Sequence, residues 1–375
     1  MNTADPYRIL LTNSSDIYGG GEFYVLQLAG ALLERGHEVW VSCRPQNALR
    51  EKCEERRIPT IPLDFPPNGR LAHYILELKR IGKENRIGII HSNSNYDRTA
   101  GAFAARLCGA MHVTNVHSFH SLRHNVTHWL RNAVATDHFI VDGECVKDLL
   151  IRSDGIPASR ISVVHLGVDP ELMKTDAPAR KRVREEFGLR PTEVVIGNVA
   201  RLVPFKGHEV LLRSFARAVS KSGNVRLLLV GDGPLKEELA ALTGSLGLKE
   251  AVVFAGFRDD LNAVYSAIDV YVHASIEGGG ETFPFAVLQA LAQELPVAVT
   301  DVGDVAAMVE DGNNGFLIRE RDESGLADAM ERLAVDSALR ARMGGAGRNL
   351  LLRRFTLSGM VDAVEAIYRE VAGDR

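Results

Sequence analysis

Along its whole length the chain alternates short β-branched runs with helix-length amphipathic segments. No other feature constrains the fold as strongly. A strand, a covering helix and a second strand bring the backbone back in its original direction, so the strands run parallel and both faces of the sheet are covered. In the first half the strand candidates read "RILLTN", "EVWVSC", "IGIIHSN", "HVTNVHS", "HFIVDGE" and "ISVVHLG". Between them lie helices such as "GEFYVLQLAGALLERG", which closes on Gly36 where a helix C-terminus favours glycine. The second half repeats the style with "EVVIGNVAR", "VRLLLVGDG", "AVVFAGF", "DVYVHAS", "PVAVTD" and "GFLI". The expected fold is therefore α/β.

At 375 residues the chain exceeds what one core usually supports, so two domains with a ligand cleft between them are expected. The segment "GVDPELMKTDAPARKRVREEFGLRPTE" is polar, charged and proline-bearing, and reads as the linker, with the boundary near 170 to 190. The expected domains are 1–170 and 171–356. The last segment, "FTLSGMVDAVEAIYREVAG", reads as a helix with no strand after it, free to pack on the second domain or to reach back to the first.

Composition excludes several function classes. A 46% hydrophobic and 25% charged chain is not disordered, and a net charge of -4 supplies no global positive field for nucleic acid. No secretory h-region and no run of about 18 apolar residues is visible, so a cytoplasmic protein is expected. Cys43, Cys53, Cys108 and Cys145 form no C-x-x-C pair, which suits reduced thiols. Without a secretion signal, the "NVT" sequon at Asn125 is read as chance.

Open α/β sheets bind ligands beyond the carboxyl ends of their strands, so candidate residues are those just after strands. Gly19, Gly20 and Gly21 follow the first strand and open a helix, either as a plain tight turn or as a backbone approach to an anion. They do not complete G-x-G-x-x-G, and a dinucleotide-dependent dehydrogenase is not expected. Arg201 and Lys206, five apart in "ARLVPFKG", could turn toward one diphosphate, or could be solvated surface. "VGDGPL" is good turn chemistry that needs no ligand. His120, His124 and His128 would line one helix face, but no carboxylate completes a metal shell, so no metal is expected. His117 sits directly after a strand, where either a core or a catalytic role fits.

In "ETFPFAVLQ", Pro284 suits a helix start and the following residues are apolar nearly all round. Gln289 is the lone polar side chain in its first turns. A buried amide without partners costs about 1 to 3 kcal/mol, so backbone or ligand must satisfy it. Glu281 precedes it by eight residues, about 12 Å at helical rise.

"ETFPFAVLQALAQELPVAVTDVGDVAAMVEDGNNGFL" resembles the E-x7-E region of the retaining glycosyltransferases of family four. "GGGEFYVLQLAGALLERGHEV", "VVHLGVD", "ARLVPFKG", "LLLVGDGPLKEEL", "VVFAGF" and "DGNNGFL" match in order, so the resemblance covers nearly the whole chain. It implies the GT-B architecture, two facing Rossmann-like domains with the last helix, 357–375, crossing back, and a sugar nucleotide in the cleft. It implies that Arg201 and Lys206 hold the diphosphate, Glu281 the donor-sugar hydroxyls and Gln289 the ribose. By the same resemblance His117 lies by the donor sugar and the Gly19 to Gly21 loop by the phosphates and the acceptor. Gly256 and Phe257 of "VVFAGF", with Thr282, Phe283, Pro284 and Phe285, complete the implied donor site.

The family retains anomeric configuration and generally needs no metal or cofactor; the nucleotide-diphosphate sugar is its substrate. Gln289 stands where the second Glu is usual, Pro284 and Glu294 where glycine is usual, Leu166 where Asn is frequent, and Ala307 where Glu is frequent. The expected function is a retaining hexosyltransferase of cell-envelope or exopolysaccharide synthesis, acting on a saccharide or lipid-linked acceptor. A non-catalytic sugar-nucleotide-binding subunit and a sugar-nucleotide epimerase are the alternatives. "SLRHNVTHWLRNAV", with Trp129, fits a soluble surface helix or peripheral contact with the inner membrane face.

Overall fold

A computed structural model describes residues 6–64, 71–122, 125–219, 224–278 and 280–373. The chain divides into two compact units, residues 1–166 with 357–375, and residues 167–356. Among the described residues the first unit holds seven strands: β1 (Arg8–Thr12), β2 (Glu38–Cys43), β3 (Thr60–Pro62), β4 (Ile89–Ser92), β5 (Met111–Val116), β6 (His138–Val141) and β7 (Ile161–Val163). The second holds six: β8 (Val194–Val199), β9 (Val225–Val230), β10 (Val252–Gly256), β11 (Val270–His273), β12 (Val297–Thr300) and β13 (Gly315–Ile318).

The sheet orders are β3-β2-β1-β4-β5-β6-β7 and β10-β9-β8-β11-β12-β13. All described pairs are parallel, as in the register Leu10↔Trp40 of β1 and β2 or Asn198↔Leu229 of β8 and β9. The two sheets are thus built alike. In each, the chain winds outward one way from β1 or β8 and then the other way from β4 or β11. A crevice opens at such a reversal, where successive connections leave on opposite sides.

The burial pattern explains why these runs are strands. β4, β5, β6, β11 and β12 are buried at every position, as strands covered on both faces must be. β3 is short, carries Pro62 and lies at an edge, where a missing N–H costs no ladder bond.

The polar stretch expected as a linker folds instead. Asp176 caps a helix Ala177–Glu186, and the buried Arg184 of that helix donates to Asp269 at 2.6 Å and to the carbonyl oxygen of Ala267 at 3.0 Å. Its arginine-rich composition, which suggested solvent, supplies these internal bonds.

The C-terminal helix Leu357–Gly373 belongs to the first unit. Arg35 donates to Asp362 at 2.7 Å and to Glu365 at 2.9 Å, and Tyr368 is fully buried. No described helix is long and apolar enough to cross a membrane.

Candidate functional site

In the second unit the site residues gather at the carboxyl ends of β8 and β11, the two strands flanking the reversal. β8 leads into the loop of Arg201 and then the short turn Pro204–Lys206. Gly207 closes this turn at φ 64°, and a Cβ there would lie 1.8 Å from the carbonyl oxygen of Ala274. Glycine therefore lets the turn press onto the end of β11, where Ile276 N–H donates to the Phe205 carbonyl at 2.8 Å. Gly231, in the "VGDGPL" loop, does the same for the Arg201 loop, since a Cβ there would meet the Ala200 carbonyl at 2.0 Å.

This packing brings Lys206 onto Glu281. The Lys206 ammonium donates to Glu281 Oε2, and the same oxygen accepts from Ser275 Oγ at 2.8 Å and from His273 Nε2 at 3.0 Å. Burial alone would raise the Glu281 carboxyl; the Lys206 charge, with the His273 hydrogen bond, holds it well below the usual carboxylate range. Burial in turn lowers the His273 imidazole against the pull of Glu281, so the ring is neutral. It donates from Nε2 to the carboxylate and accepts at Nδ1 from the Tyr271 hydroxyl, 3.2 Å away.

Arg201 is different. It is exposed, and among the described residues its guanidinium has no hydrogen-bond or ion-pair partner. Of the two cations named by the sequence, one is balanced internally and the other is uncompensated.

Gln289 lies on the helix Phe285–Ala292 and is 5% exposed, yet its amide finds no partner among the described residues. Gln293, one turn on, is satisfied by Thr175, by the Lys174 carbonyl and by Asn262. The helix starts after Pro284 with no side-chain cap and no acidic residue in its first turn, so its own side chains leave the positive dipole end open.

The remaining residues of the implied donor site divide. Thr282, Phe283 and Phe285 are buried, and the Phe283 ring packs edge-on against Phe355 at 5.5 Å. Gly256 ends β10 at φ 69°, its carbonyl accepting from Gly231 N–H at 2.8 Å, and Phe257 beside it is exposed. Both stand at the carboxyl edge of the sheet, two strands out from β8.

In the first unit, β1 and β4 end in Thr12 and Ser92, and β5 and β6 are each followed at once by a polar side chain. His117 follows β5, and its Nδ1 lies 2.9 and 3.0 Å from the two oxygens of Asp142, which follows β6. The glycine-rich helix start comes to the same place: a Cβ on Gly21 would sit 4.0 Å from His117 Cδ2, and Tyr24 meets the imidazole edge-on at 4.8 Å. Glu22, buried, accepts from the Gly19 N–H at 2.9 Å and from Asn13 Nδ2 at 3.1 Å. This helix carries its own carboxylate at the positive end, which the helix after Pro284 does not.

The histidine helix face is not formed. His120 lies in a bend with Ser118 Oγ at 2.7 Å, His128 is on the separate helix Val126–Leu130, and His124 lies outside the described residues. Among the described residues no three His, Cys, Asp or Glu side chains converge as a metal set.

Sequence reasoning did not name Asp142, Asn115, His273 or Ser275. Asp142 and Ser275 lie just past a buried strand and His273 is the last residue of one, near the position that singled out His117, whereas Asn115 is the next-to-last residue of β5 and lies inside the strand.

Two family models match the chain: "Glycosyltransferase Family 4" over residues 18–172 and "Glycosyl transferases group 1" over residues 193–336. EpsD of Bacillus subtilis is 28% identical over 352 residues, covering 89% of this chain and 90% of its own. The lipopolysaccharide core biosynthesis glycosyltransferase LpsE of Rhizobium meliloti is 25% identical over 358 residues, covering 92% and 94%. Among solved structures, Anabaena HepE in complex with UDP-glucose superposes with a TM-score of 0.86 at 23% identity, over 97% of this chain and 99% of that one. The fold is thus the GT-B fold. With both models matched in chain order over two parallel-sheet units, the chain belongs to the group 1, family 4 glycosyltransferases.

Proposed function

We propose that the chain is a retaining hexosyltransferase that takes a sugar from a nucleotide diphosphate and places it on a saccharide or lipid-linked acceptor in envelope or exopolysaccharide synthesis. The observation that carries this reading is the cluster at the reversal of the second sheet. The uncompensated Arg201 and the Lys206–Glu281 pair stand together there. Arg201 and Lys206 take the diphosphate and offset the charge that develops as it leaves. Glu281, kept ionised, accepts from donor-sugar hydroxyls, and the unpartnered Gln289 amide binds the ribose.

In the reaction, the bond from the anomeric carbon to the diphosphate oxygen breaks. A bond from the acceptor oxygen to the same face forms, and the acceptor proton passes to the departing phosphate. Glu281 is already held by Lys206, Ser275 and His273, which favours attack without a covalent sugar intermediate. The uncompensated Arg201, with the Lys206 ammonium that Glu281 shares, supplies positive charge at the departing diphosphate, and the reading needs no metal or cofactor. Gly256, Phe257 and the Thr282 to Phe285 stretch border the nucleotide, and His117, with the Gly19 to Gly21 turn, serves the sugar and its acceptor.

The complex of HepE with UDP-glucose makes UDP the first nucleotide to test, and the likeness to LpsE, a lipopolysaccharide core biosynthesis glycosyltransferase, supports an envelope acceptor. Val126, Trp129, Leu130 and Val134 are exposed on one short segment of the first unit, which supports peripheral contact with the inner membrane face from the cytoplasm.

Calorimetric titration with UDP, GDP and ADP, then product analysis by NMR with and without chelator, tests the reading. An inverted anomeric product, or loss of activity with chelator, refutes the retaining, metal-independent assignment. His117→Ala should bind nucleotide nearly as well as the parent while transferring poorly; unchanged transfer removes His117 from the reaction.

A further inference from the structure

The polar residues behind His117 form a chain whose hydrogen-bond direction can be read from one end. Asn93 Nδ2 donates to two backbone carbonyls, of His91 at 2.9 Å and of Thr12 at 3.3 Å. A carbonyl only accepts, so this end of the Asn93 amide is the nitrogen and its Oδ1 points the other way, toward Asn115 Nδ2 at 3.2 Å. Asn115 must therefore present its nitrogen to Asn93 and its oxygen to His91 Nε2, 3.0 Å away. His91 then carries its proton on Nε2 and accepts at Nδ1 from the hydroxyl of Tyr368, 2.6 Å away on the C-terminal helix. Burial pushes the His91 imidazole down to about 4, so it holds that single proton at neutral pH.

The same Asn115 nitrogen faces His117 Nε2 at 3.3 Å, while the carboxylate of Asp142 faces Nδ1. His117 thus has a donor on one side and an acceptor on the other. Only the Nδ1–H tautomer satisfies both, and an imidazolium would point an N–H at the Asn115 amide. The Asn115 contact is long, so a substrate hydroxyl at ordinary distance can replace it while Asn115 keeps its bond to Asn93.

We propose that Asn115 and Asp142 are positioning residues that hold His117 as the neutral Nδ1–H imidazole, so that it meets the sugar as a hydrogen-bond acceptor at Nε2. Tyr368 anchors the far end of this relay, which makes the C-terminal helix part of the site. The proposal rests on the reading that His117 serves the sugar. It adds that the group on the sugar is a hydroxyl that donates, and that His117 is not the proton donor to the leaving group.

Two-bond proton–nitrogen correlation spectra of the full chain, labelled with nitrogen-15 at histidine, report tautomers directly. His117→Gln and His91→Gln assign the signals. Above the histidine titration range His117 should be protonated on Nδ1 and bare on Nε2, and His91 the reverse. A proton on Nε2 of His117 overturns the proposal, and this wild-type measurement needs no variant that could fail to fold. Asp142→Asn should shift the His117 signals toward the other tautomer and lower kcat about a hundredfold, with KM within about threefold. Unchanged signals and unchanged kcat refute the role of Asp142. Tyr368→Phe should move the His91 signals, and a silent substitution there refutes the anchor. An active His117→Ala protein with the expected wild-type spectrum defeats the underlying functional reading alone. The wrong tautomer with an inactive His117→Ala protein defeats this inference alone.

Discussion

The Lys206–Glu281 pair can be tested by a double-mutant cycle. Both side chains are largely out of solvent, at 17% and 9% exposure. Removing one partner of a buried pair leaves an uncompensated charge, commonly at a cost of 3 to 5 kcal/mol. Lys206→Met leaves Glu281 with Ser275 and His273 as donors, so the low end, about 3 kcal/mol, is expected. Glu281→Gln leaves a lysine with solvent near it and should cost about 2 kcal/mol. Replacing both removes both charges and should cost about 2 to 3 kcal/mol, a coupling of about 2 to 3 kcal/mol.

In a unit of roughly 190 residues the lysine change lowers Tm by about 6 to 12 °C. Scanning calorimetry at several pH values measures it. In the parent, the depressed Glu281 carboxyl contributes stability that is present above its unfolded value and lost only as pH falls through the depressed folded value. Without Lys206, burial raises that carboxyl above the unfolded value, and the sign reverses: the penalty of Lys206→Met should shrink from pH near 7 toward pH near 4. Singles that add within about 0.5 kcal/mol, or a penalty independent of pH, refute the coupling.

Arg201→Ala should change stability by less than about 0.5 kcal/mol, because no intramolecular partner is lost, yet weaken nucleoside diphosphate binding about tenfold or more. Unchanged affinity by calorimetry contradicts its role. Gly207→Ala forces a Cβ to 1.8 Å from a carbonyl oxygen at a positive φ, so it should cost more than about 3 kcal/mol and abolish nucleotide binding even at low temperature. Native-like melting and binding would show that the turn is not held as described. His208 is buried with no hydrogen-bond partner on either ring nitrogen, and burial followed by the Lys206 charge pushes it down to about 4. Unfolding lets it take up a proton, so stability should fall as pH drops from about 6.5 to 4, by about 3 kcal/mol from this group. His208→Leu should flatten the acid limb of the second unit; an unchanged limb assigns it elsewhere.

The regular alternation of apolar strands and amphipathic helices is a local property, and it was enough for the α/β class and for most strands. β3 escaped notice because three residues ending in Pro62 carry almost no pattern. The arginine-rich stretch after Asp176 was misread as a linker because composition cannot tell a solvated guanidinium from one buried against Asp269, a partner 85 residues away in sequence. Glu281, Lys206, Arg201, Gln289 and His117 were legible as polar groups just past strands or in a buried helix.

What those groups do to one another was not legible. The sequence by itself determined which residues stand at strand ends, because strand periodicity and turn chemistry act over a few neighbours. Only the tertiary structure decided that Lys206 is neutralised by Glu281 while Arg201 is not. Only there does the proton on His117 turn out to be set by two backbone carbonyls through Asn93 and Asn115. The physical reason is range. Charge pairing and hydrogen-bond direction act across a few ångströms, and parallel strands bring within that reach residues that lie tens to hundreds of positions apart along the chain.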